Sequence, residues 1–414
     1  MKFFFVDNKR NIRKTYEDLV NDINGVNKFN KYIYTKDVYM IFVKLLSSLV
    51  IGENIEILDA DLSVNELLNM GVEINNLNSE VHYANNIIIK DYEHLLKIIK
   101  ENEHRWEITM YTSGTTGRPK KISHQLASLT RTVKISSKFA DNIWAFCYNP
   151  THYAGLQVFL QAFNNMNTII YTFDYTQDEL YEALISNKVT SISATPTFYR
   201  TNLLNINLEM PNIRYVTLGG ERFDRDLANK LKNIFPNAKI RNIYASTEAG
   251  SIFSSDSDYF IIKNEYSDYI KIDDNGELLI SNKLLGKSED LSVSSEWYHT
   301  GDIVELVEED KFKIVSRNTE MINVGGYKVN PNEIEEEIKK VQGVLDVLVT
   351  ARKNKLTDNI LVAQIVKMTG LDEMELEKRI IEELNKLLQK WKIPRIFKFV
   401  DEIDKTRTGK KVRI

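Results

Sequence analysis

Only one cysteine, Cys147, occurs among 414 residues. No disulfide can form within the chain, and a reducing compartment suits it. Its neighbours Phe146 and Tyr148 predict a buried structural thiol rather than a nucleophile. An excess of one charge is also missing. The 54 Lys and Arg against 58 Asp and Glu give a net charge of -4. That leaves no broad basic face for nucleic acid, although a local cationic site stays open. No apolar run approaches the ~20 residues of a membrane-spanning helix. The start, MKFFFVDNKR, sets one lysine before a short apolar run, which is less than a signal peptide needs. These absences predict a soluble, cytoplasmic protein. A content of 43% hydrophobic and 27% charged residues is ordinary for a globular chain, and the length allows two or three cores.

The densest chemistry lies in YTSGTTGRPKK, Tyr111 to Lys121. Thr112, Ser113, Thr115 and Thr116 supply hydroxyls, Gly114 and Gly117 supply turns, and Arg118, Lys120 and Lys121 supply positive charge. Glycines bring backbone N–H groups close to an oxyanion, hydroxyls donate to phosphate oxygens, and Lys120 neutralises one as a point charge. A Walker loop needs a second glycine five places after the first, where this chain has Pro119, so this is a different phosphate cradle.

Residues 1 to 107 mix short helices and strands without a readable motif. Beyond them strands and helices alternate. Val189 to Ala194 and Ile213 to Leu218 read as strands, the second ending at Gly219-Gly220. Asp224 is placed to cap a helix with Leu227, Leu231, Ile234 and Phe235 on one face, and Lys239 to Tyr244 reads as the next strand. This alternation predicts an α/β domain with parallel-rich sheets flanked by helices, and ligands beyond the carboxyl ends of the strands. After residue 316 the pattern changes. Asn330, Pro331 and Glu333 resemble an N-cap, a first-turn proline and a capping-box acid. Strands are expected at Val344 to Ala351 and Ile360 to Val366, and a long amphipathic helix at Leu371 to Lys390. The expected division is therefore a large domain over 1–316, with a short first subdomain over 1–107, and a small mobile α+β domain over 317–414.

Five segments in order resemble the adenylate-forming superfamily of acyl-CoA synthetases, peptide-synthetase adenylation domains and luciferases. They are YTSGTTGRPK, YASTEAG (Tyr244 to Gly250), WYHTGD (Trp297 to Asp302), SRNTEMINVGGYKVNPNEIE (Ser316 to Glu335) and DKTRTGK (Asp404 to Lys410). The resemblance implies activation of a carboxylic acid by ATP, with Mg2+, to an acyl adenylate and pyrophosphate, followed by transfer to a phosphopantetheine thiol. It assigns Thr112, Ser113, Gly114, Thr115, Thr116, Gly117 and Lys120 to the β- and γ-phosphates, Glu248 to the metal and Thr247 to the α-phosphate. Tyr244 would face adenine opposite the backbone of Gly219, Gly220 and Glu221. Asp302 and Arg317 would hold the ribose hydroxyls. Lys410 would bridge the carboxylate and the α-phosphate. Gly325, Gly326 and Tyr327 would line the thiol tunnel. The chain departs from the family pattern at Ala245, at Lys121 (both usually glycine) and at Thr319, the expected hinge. The first subdomain is shorter than in most members.

The acyl pocket is expected to draw on His152, Tyr153, Gly155, Thr195, Ala245 and Ser246. The segment Asn149 to Leu156 contains no carboxylate to hold an α-ammonium, which disfavours an amino acid because an unpaired buried ammonium is costly. His152 could gate the carboxylate, donate to a phenol, or be a satisfied core residue. The polar-aromatic pocket looks similar to compact aryl-acid–carrier-protein ligases of siderophore pathways. A short or medium aliphatic acid, destined for CoA or a cell-surface polysaccharide, is the other reading. The thiol belongs either to a carrier protein or to CoA, and the absence of a clear cationic cluster for the CoA 3′-phosphate favours the carrier protein.

Overall fold

The computed structural model describes the chain except residues 1, 83–86, 113–119, 205–207, 222, 224, 290, 292–295, 318–321 and 404–414, together with the side chains of 315–317 and 332. Asp224 and Thr319 therefore lie outside the described residues. Two compact units emerge. The first comprises Met1–Ala60, Asn75–Tyr111 and Lys121–Asn318, and the second Asp61–Ile74, Thr112–Lys120 and Thr319–Ile414.

The first unit is organised by an eight-stranded sheet. Its order is Gly250–Ser255, Lys239–Ser246, Tyr215–Gly219, Ser191–Ala194, Ile143–Phe146, Thr168–Tyr171, Phe3–Asp7 and Ile12–Thr15. The inner strands run parallel, and the two outermost pair antiparallel. Successive residues mostly alternate between two cores, as the pleat requires, although Phe4 and Phe5 share one beside a shift in register. Phe5, Trp144, Phe146 and Ile169 join a cluster with the helices Val38–Ile51, Tyr92–Asn102 and Tyr153–Phe163. Val6, Ala145, Cys147 and Ile170 join another with Gln177–Ser186, Pro196–Asn202 and Arg225–Ile234. Burial on both faces explains why these strands read as continuous apolar runs rather than as alternating ones. The opening FFFV is such a run, with Phe4 and Phe5 at 0% and 1% exposure. Phe42 stacks on Phe159 with ring centroids 4.4 Å apart, and each fully buried ring contributes roughly 2–3 kcal/mol. Cys147 is buried beside the Thr172 hydroxyl, and burial pushes its thiol up to about 12. It is structural, as its neighbours suggested.

A four-stranded sheet adds Tyr32–Tyr34, Ile55–Leu58, Glu107–Thr112 and Lys120–Gln125, the first three parallel. Here Lys121, in place of the family's usual glycine, finds its reason. Its Nζ lies 2.9 Å from the carboxylate of Glu56, which Lys31 meets at 2.6 Å and the Tyr111 hydroxyl also reaches. The Glu56 side chain is only 4% exposed. Burial pushes its pKa up, but Lys31, Tyr111 and Lys121 outweigh burial and hold it below the usual carboxylate range. A five-stranded antiparallel sheet follows, ordered Tyr259–Ile261, Lys311–Arg317, Trp297–Glu308, Glu277–Ser281 and Ile270–Ile272. It packs on Phe253, Phe260 and Phe312.

In the second unit Val344–Asn354 and Asp358–Lys367 form an antiparallel pair, extended by Ile396–Phe399. The helices Pro331–Lys339 and Glu373–Leu387 cover this sheet through Ile334, Ile338, Leu376, Ile380 and Leu384. Glu333 faces Lys392, whose Nζ lies 3.0 Å from Glu333 and 3.0 Å from Glu66. Glu66 belongs to the helix Val64–Asn69, and Ser63 donates to the Leu387 carbonyl at 2.9 Å. The segment 61–74 thus packs with the chain's last hundred residues. Among the described residues no helix is long and apolar enough to cross a membrane.

Glu56→Ala removes the acceptor shared by two lysines and a tyrosine. The expected loss is about 2–3 kcal/mol, below the full value for a broken buried ion pair because both lysines are partly in water. Urea denaturation at pH 7 measures it. Because the folded carboxyl titrates below its unfolded value, this stabilisation is complete above pH ~4.3 and fades as pH falls through the folded pKa. The difference between wild type and variant therefore narrows in acid.

Candidate active site

The strand Lys239–Ser246 turns into Gly250–Ser255 through Thr247, Glu248 and Ala249. All three carbonyls of this turn are held from outside it. The Thr247 oxygen accepts from His124 Nε2 at 2.6 Å, the Glu248 oxygen from the Gly286 N–H at 2.8 Å, and the Ala249 oxygen from Arg131 Nη2 at 2.8 Å. The Ala249 N–H donates to Ser246 Oγ at 3.1 Å, and the Ser251 N–H donates to the Tyr153 hydroxyl at 3.0 Å. Gly250 is required at the far end. Its φ is +76°, and a Cβ there would stand 2.8 Å from the Tyr153 oxygen. Gly286 is required for a different reason, since a Cβ would come within 2.7 Å of the His124 ring. His124 is 1% exposed. Burial pushes its pKa down and the Thr247 carbonyl only partly restores it, so the ring is neutral at pH 7. With the backbone of the turn fixed, the side chains of Thr247 and Glu248 are what it offers to a ligand. Among the described residues the Glu248 carboxylate makes no hydrogen bond or ion pair, which suits a hard cation completed by phosphate oxygens.

Tyr244, on the same strand, donates to Asp302 Oδ2 at 2.7 Å. Phe253 and Phe260 hold the ring, with centroids 5.8 and 6.2 Å away. Asp302 lies 7% exposed on the strand Trp297–Glu308 and is paired in register with Arg317. Gly219 ends the strand Tyr215–Gly219, and Gly220 follows it with a φ of +80°. The Glu221 side chain turns inward, accepting from the Thr197 N–H at 3.2 Å and its hydroxyl at 2.8 Å. Burial raises its pKa against the pull of Thr197, Thr195 and Arg200. Its Oε1 is buried without a hydrogen-bond partner among the described residues.

The residues expected in the acyl pocket divide. His152 precedes the helix Tyr153–Phe163, and its ring is 43% exposed. Tyr153 is 6% exposed and props the turn described above. Gly155 lets that helix approach the preceding loop, because a Cβ would stand 2.3 Å from the Asn149 carbonyl oxygen. Thr195 caps the helix Pro196–Asn202 by accepting from the Phe198 N–H. Ala245 faces Ser251 across the hairpin, where the register shifts. The unanticipated residue is Asp59, which follows the strand Ile55–Leu58. Its Oδ2 accepts from Asn149 Nδ2 at 2.7 Å and lies 4.0 Å from His152 Nε2. Asp59 therefore sets beside Asn149 and His152 a carboxylate that the segment Asn149 to Leu156 lacks. Nothing in the local sequence pointed to it, since ninety residues separate the partners and each ends a strand of a different sheet.

In the second unit Gly325 and Gly326 join Ile322–Val324 to Tyr327–Val329 with φ of 59° and 88°. Two positive φ values in a two-residue hairpin loop mark a type I′ turn, which explains the glycine pair. Tyr327 stacks on Trp391 at 4.2 Å. The Thr112 hydroxyl is buried without a hydrogen-bond partner among the described residues, and Lys120 begins the strand Lys120–Gln125. Ser113, Gly114, Thr115, Thr116, Gly117 and Lys410 lie outside the described residues.

Comparison with known proteins gives the family and the fold. The family described as AMP-binding enzyme matches residues 62–275, and the AMP-binding enzyme C-terminal domain matches 333–410. A 2-succinylbenzoate–CoA ligase of Listeria monocytogenes is 27% identical over 325 residues, covering 73% of this chain and 67% of its own length. A D-alanine–D-alanyl carrier protein ligase of Streptococcus pneumoniae is 26% identical over 358 residues, covering 73% and 68%. The chain thus spans about two thirds of the length of these relatives. Among solved structures, o-succinylbenzoate CoA synthetase from Bacillus subtilis superposes with a TM-score of 0.76 at 18% identity, covering 100% of this chain and 94% of that one. An amide bond synthetase from Marinactinospora thermotolerans gives 0.76 at 14% identity, covering 99% and 95%.

His124→Ala leaves the Thr247 carbonyl without its donor, at an expected cost of about 1–3 kcal/mol in urea denaturation at pH 7. His124→Gln restores a donor that does not titrate. Wild-type His124 stays neutral in the folded state at pH values where the unfolded imidazole, near 6.5, takes up a proton. Its contribution therefore falls as pH drops below about 6.5, and the Gln variant loses less stability than wild type between pH 7 and 5.5.

Proposed function

The chain belongs to the AMP-binding enzymes, and we propose that it adenylates a hydroxybenzoate-type aryl acid and passes the acyl group to the phosphopantetheine thiol of a carrier protein. The observation that carries the adenylation is the 2.7 Å bond from Tyr244 to Asp302 beside the pinned turn. It ties a flat ring suited to a purine to a buried carboxylate suited to ribose hydroxyls, next to Thr247 and Glu248.

In the first step a carboxylate oxygen of the acid attacks the α-phosphorus, and the bond to pyrophosphate breaks. Charge builds on the α-phosphate, where catalysis is positioning and electrostatic stabilisation. Thr247 donates to that phosphate, and Lys120 with the hydroxyls of 112–116 holds the β- and γ-phosphates. Lys410 bridges the two reacting groups. Glu248 fits Mg2+, which would neutralise phosphate charge when bound. In the second step the thiol adds to the acyl carbon and AMP leaves. Gly325 and Gly326, without side chains, let the pantetheine pass closely, and Tyr327 walls its path.

The half-exposed His152 ring, with Asn149 and Thr151 before it in the chain, supports an acid bearing a hydroxyl. A carrier protein as acceptor is supported by the resemblance to a D-alanine–D-alanyl carrier protein ligase. Siderophore assembly is the setting in which such an acid and such an acceptor meet.

ATP–pyrophosphate exchange across hydroxybenzoates, fatty acids, hydroxy acids and amino acids tests the reading. Exchange with a hydroxybenzoate is expected. Exchange confined to aliphatic acids overturns the aryl assignment and favours a CoA or surface-polysaccharide route. Lys410→Ala should abolish exchange while sparing thioester formation from supplied acyl adenylate, and equal loss of both steps contradicts its assigned role.

A further inference from the structure

We propose that Glu277 is a positioning residue of the nucleotide site, which through the Gly301 N–H sets the backbone that aims the Asp302 carboxylate. This inference rests on the assignment of Asp302 to the ribose hydroxyls, made above, and adds the residue that holds Asp302 to that task.

Glu277 opens the strand Glu277–Ser281, after a short turn from Ile270–Ile272. Its backbone is fixed before its side chain acts. The Asp273 carboxylate accepts from the Glu277 N–H at 2.8 Å, and the Asp273 N–H donates to the Glu277 carbonyl at 3.0 Å. On the other side, the Val304 N–H donates to the Gly276 carbonyl at 2.8 Å.

The neighbouring strand Trp297–Glu308 does not pair with this one evenly. Leu279 lies opposite His299 and Glu277 opposite Ile303, with a shift in register between them. Leu278 alone thus stands against Thr300, Gly301 and Asp302. Extra residues on one strand make a bulge, and bulges beside active sites re-aim side chains. A second shift, between Ile303 and Val304, follows on the side of Lys311–Arg317. Asp302 therefore sits between two irregularities, where the repeat of the strand does not set its direction.

Side-chain bonds set it instead. The Thr300 hydroxyl donates to the Leu278 carbonyl at 2.7 Å and accepts from the Asp302 N–H at 3.0 Å. Between these two, Gly301 takes a φ of +75° and its N–H donates to Glu277 Oε1 at 2.8 Å. The other carboxylate oxygen, Oε2, lies 3.0 Å from His299 Nδ1. One partner on each oxygen fixes the orientation of the carboxylate. The Glu277 side chain is 15% exposed, so water competes little for the Gly301 bond, and a bond to an ionised acceptor is among the stronger ones. The result appears at Asp302, whose Oδ2 receives the Tyr244 hydroxyl. Rotation of the Gly301 peptide would carry Asp302 with it, and hydrogen bonds to ribose hydroxyls weaken steeply with angle.

A bond that only stabilised the sheet would leave nucleotide preference alone, and the test uses that difference. Calorimetry of the full chain compares ATP with 2′,3′-dideoxy-ATP and needs no acid substrate. Wild type should favour ATP at least ~10-fold, the size expected when hydrogen bonds to a charged group are lost. Asp302→Ala should bring the ratio near one. Glu277→Ala should narrow it to under ~3-fold by weakening ATP while 2′,3′-dideoxy-ATP binds as in wild type. Glu277→Gln keeps an oxygen for the Gly301 N–H and should retain most of the preference. Glu277→Asp keeps the charge but draws it back from Gly301, so it should narrow the ratio too, and it carries the test if the alanine variant does not fold. In an Asp302→Ala background, Glu277→Ala should weaken ATP no further. An unchanged ratio in Glu277→Ala and Glu277→Asp, equal weakening of both nucleotides, or the same loss of ATP affinity with and without Asp302 overturns the proposal. A wild type that binds both nucleotides equally removes the ribose assignment of Asp302, and the proposal with it. Absence of ATP binding sinks the adenylation reading itself.

Discussion

Three consecutive backbone carbonyls, those of Thr247, Glu248 and Ala249, depend on donors far away in the sequence. This is the constraint on which the first unit's chemistry rests. A turn at a strand end would otherwise sample several conformations, each aiming Thr247 and Glu248 differently. The donors come from the strand carrying His124, from the loop at Gly286 and from Arg131 after the helix Leu126–Thr130. Displacement of any one of these segments is felt at the turn. The turn is held because separate pieces of the fold converge on the same few peptide groups.

Parallel strands put that convergence where it is. Every inner strand of the eight-stranded sheet points its carboxyl end the same way, so the loops after Phe146, Ala194, Gly219 and Ser246 gather along one edge. The four-stranded sheet brings Asp59 to the same region by the same logic. Polar groups therefore collect at strand ends, while the strand bodies stay apolar on both faces.

The broad architecture could be read from the sequence because its signals are local. Alternating apolar runs and amphipathic stretches mark strands and helices, and glycine pairs mark turns, as at Gly325-Gly326. The strands expected at Val189, Ile213, Lys239, Val344 and Ile360 appear within a few residues of those limits. Side-chain partnerships that cross the fold could not be read this way. Glu56, Asp59 and Glu66 look like scattered surface acids, yet each is drawn to a partner 65, 90 or 326 residues away. Lys121 registered only as a departure from glycine. Its function as a counter-ion needs the pairing of strands to be seen.

The strand Phe3–Asp7 has one further implication, for synthesis rather than for the finished protein. It pairs with Thr168–Tyr171 on one side. The ribosome therefore exposes the FFFV segment long before its parallel neighbour exists. At ordinary elongation rates about 160 further residues take roughly ten to thirty seconds. During that interval an unpaired, uncharged, aromatic strand is available to other chains. The antiparallel strand Ile12–Thr15, reached by a tight turn, can cover one edge almost at once. A hairpin of that kind, with Arg13 and Lys14 on its outer strand, acts as a temporary guard for the nascent chain until the sheet closes around it.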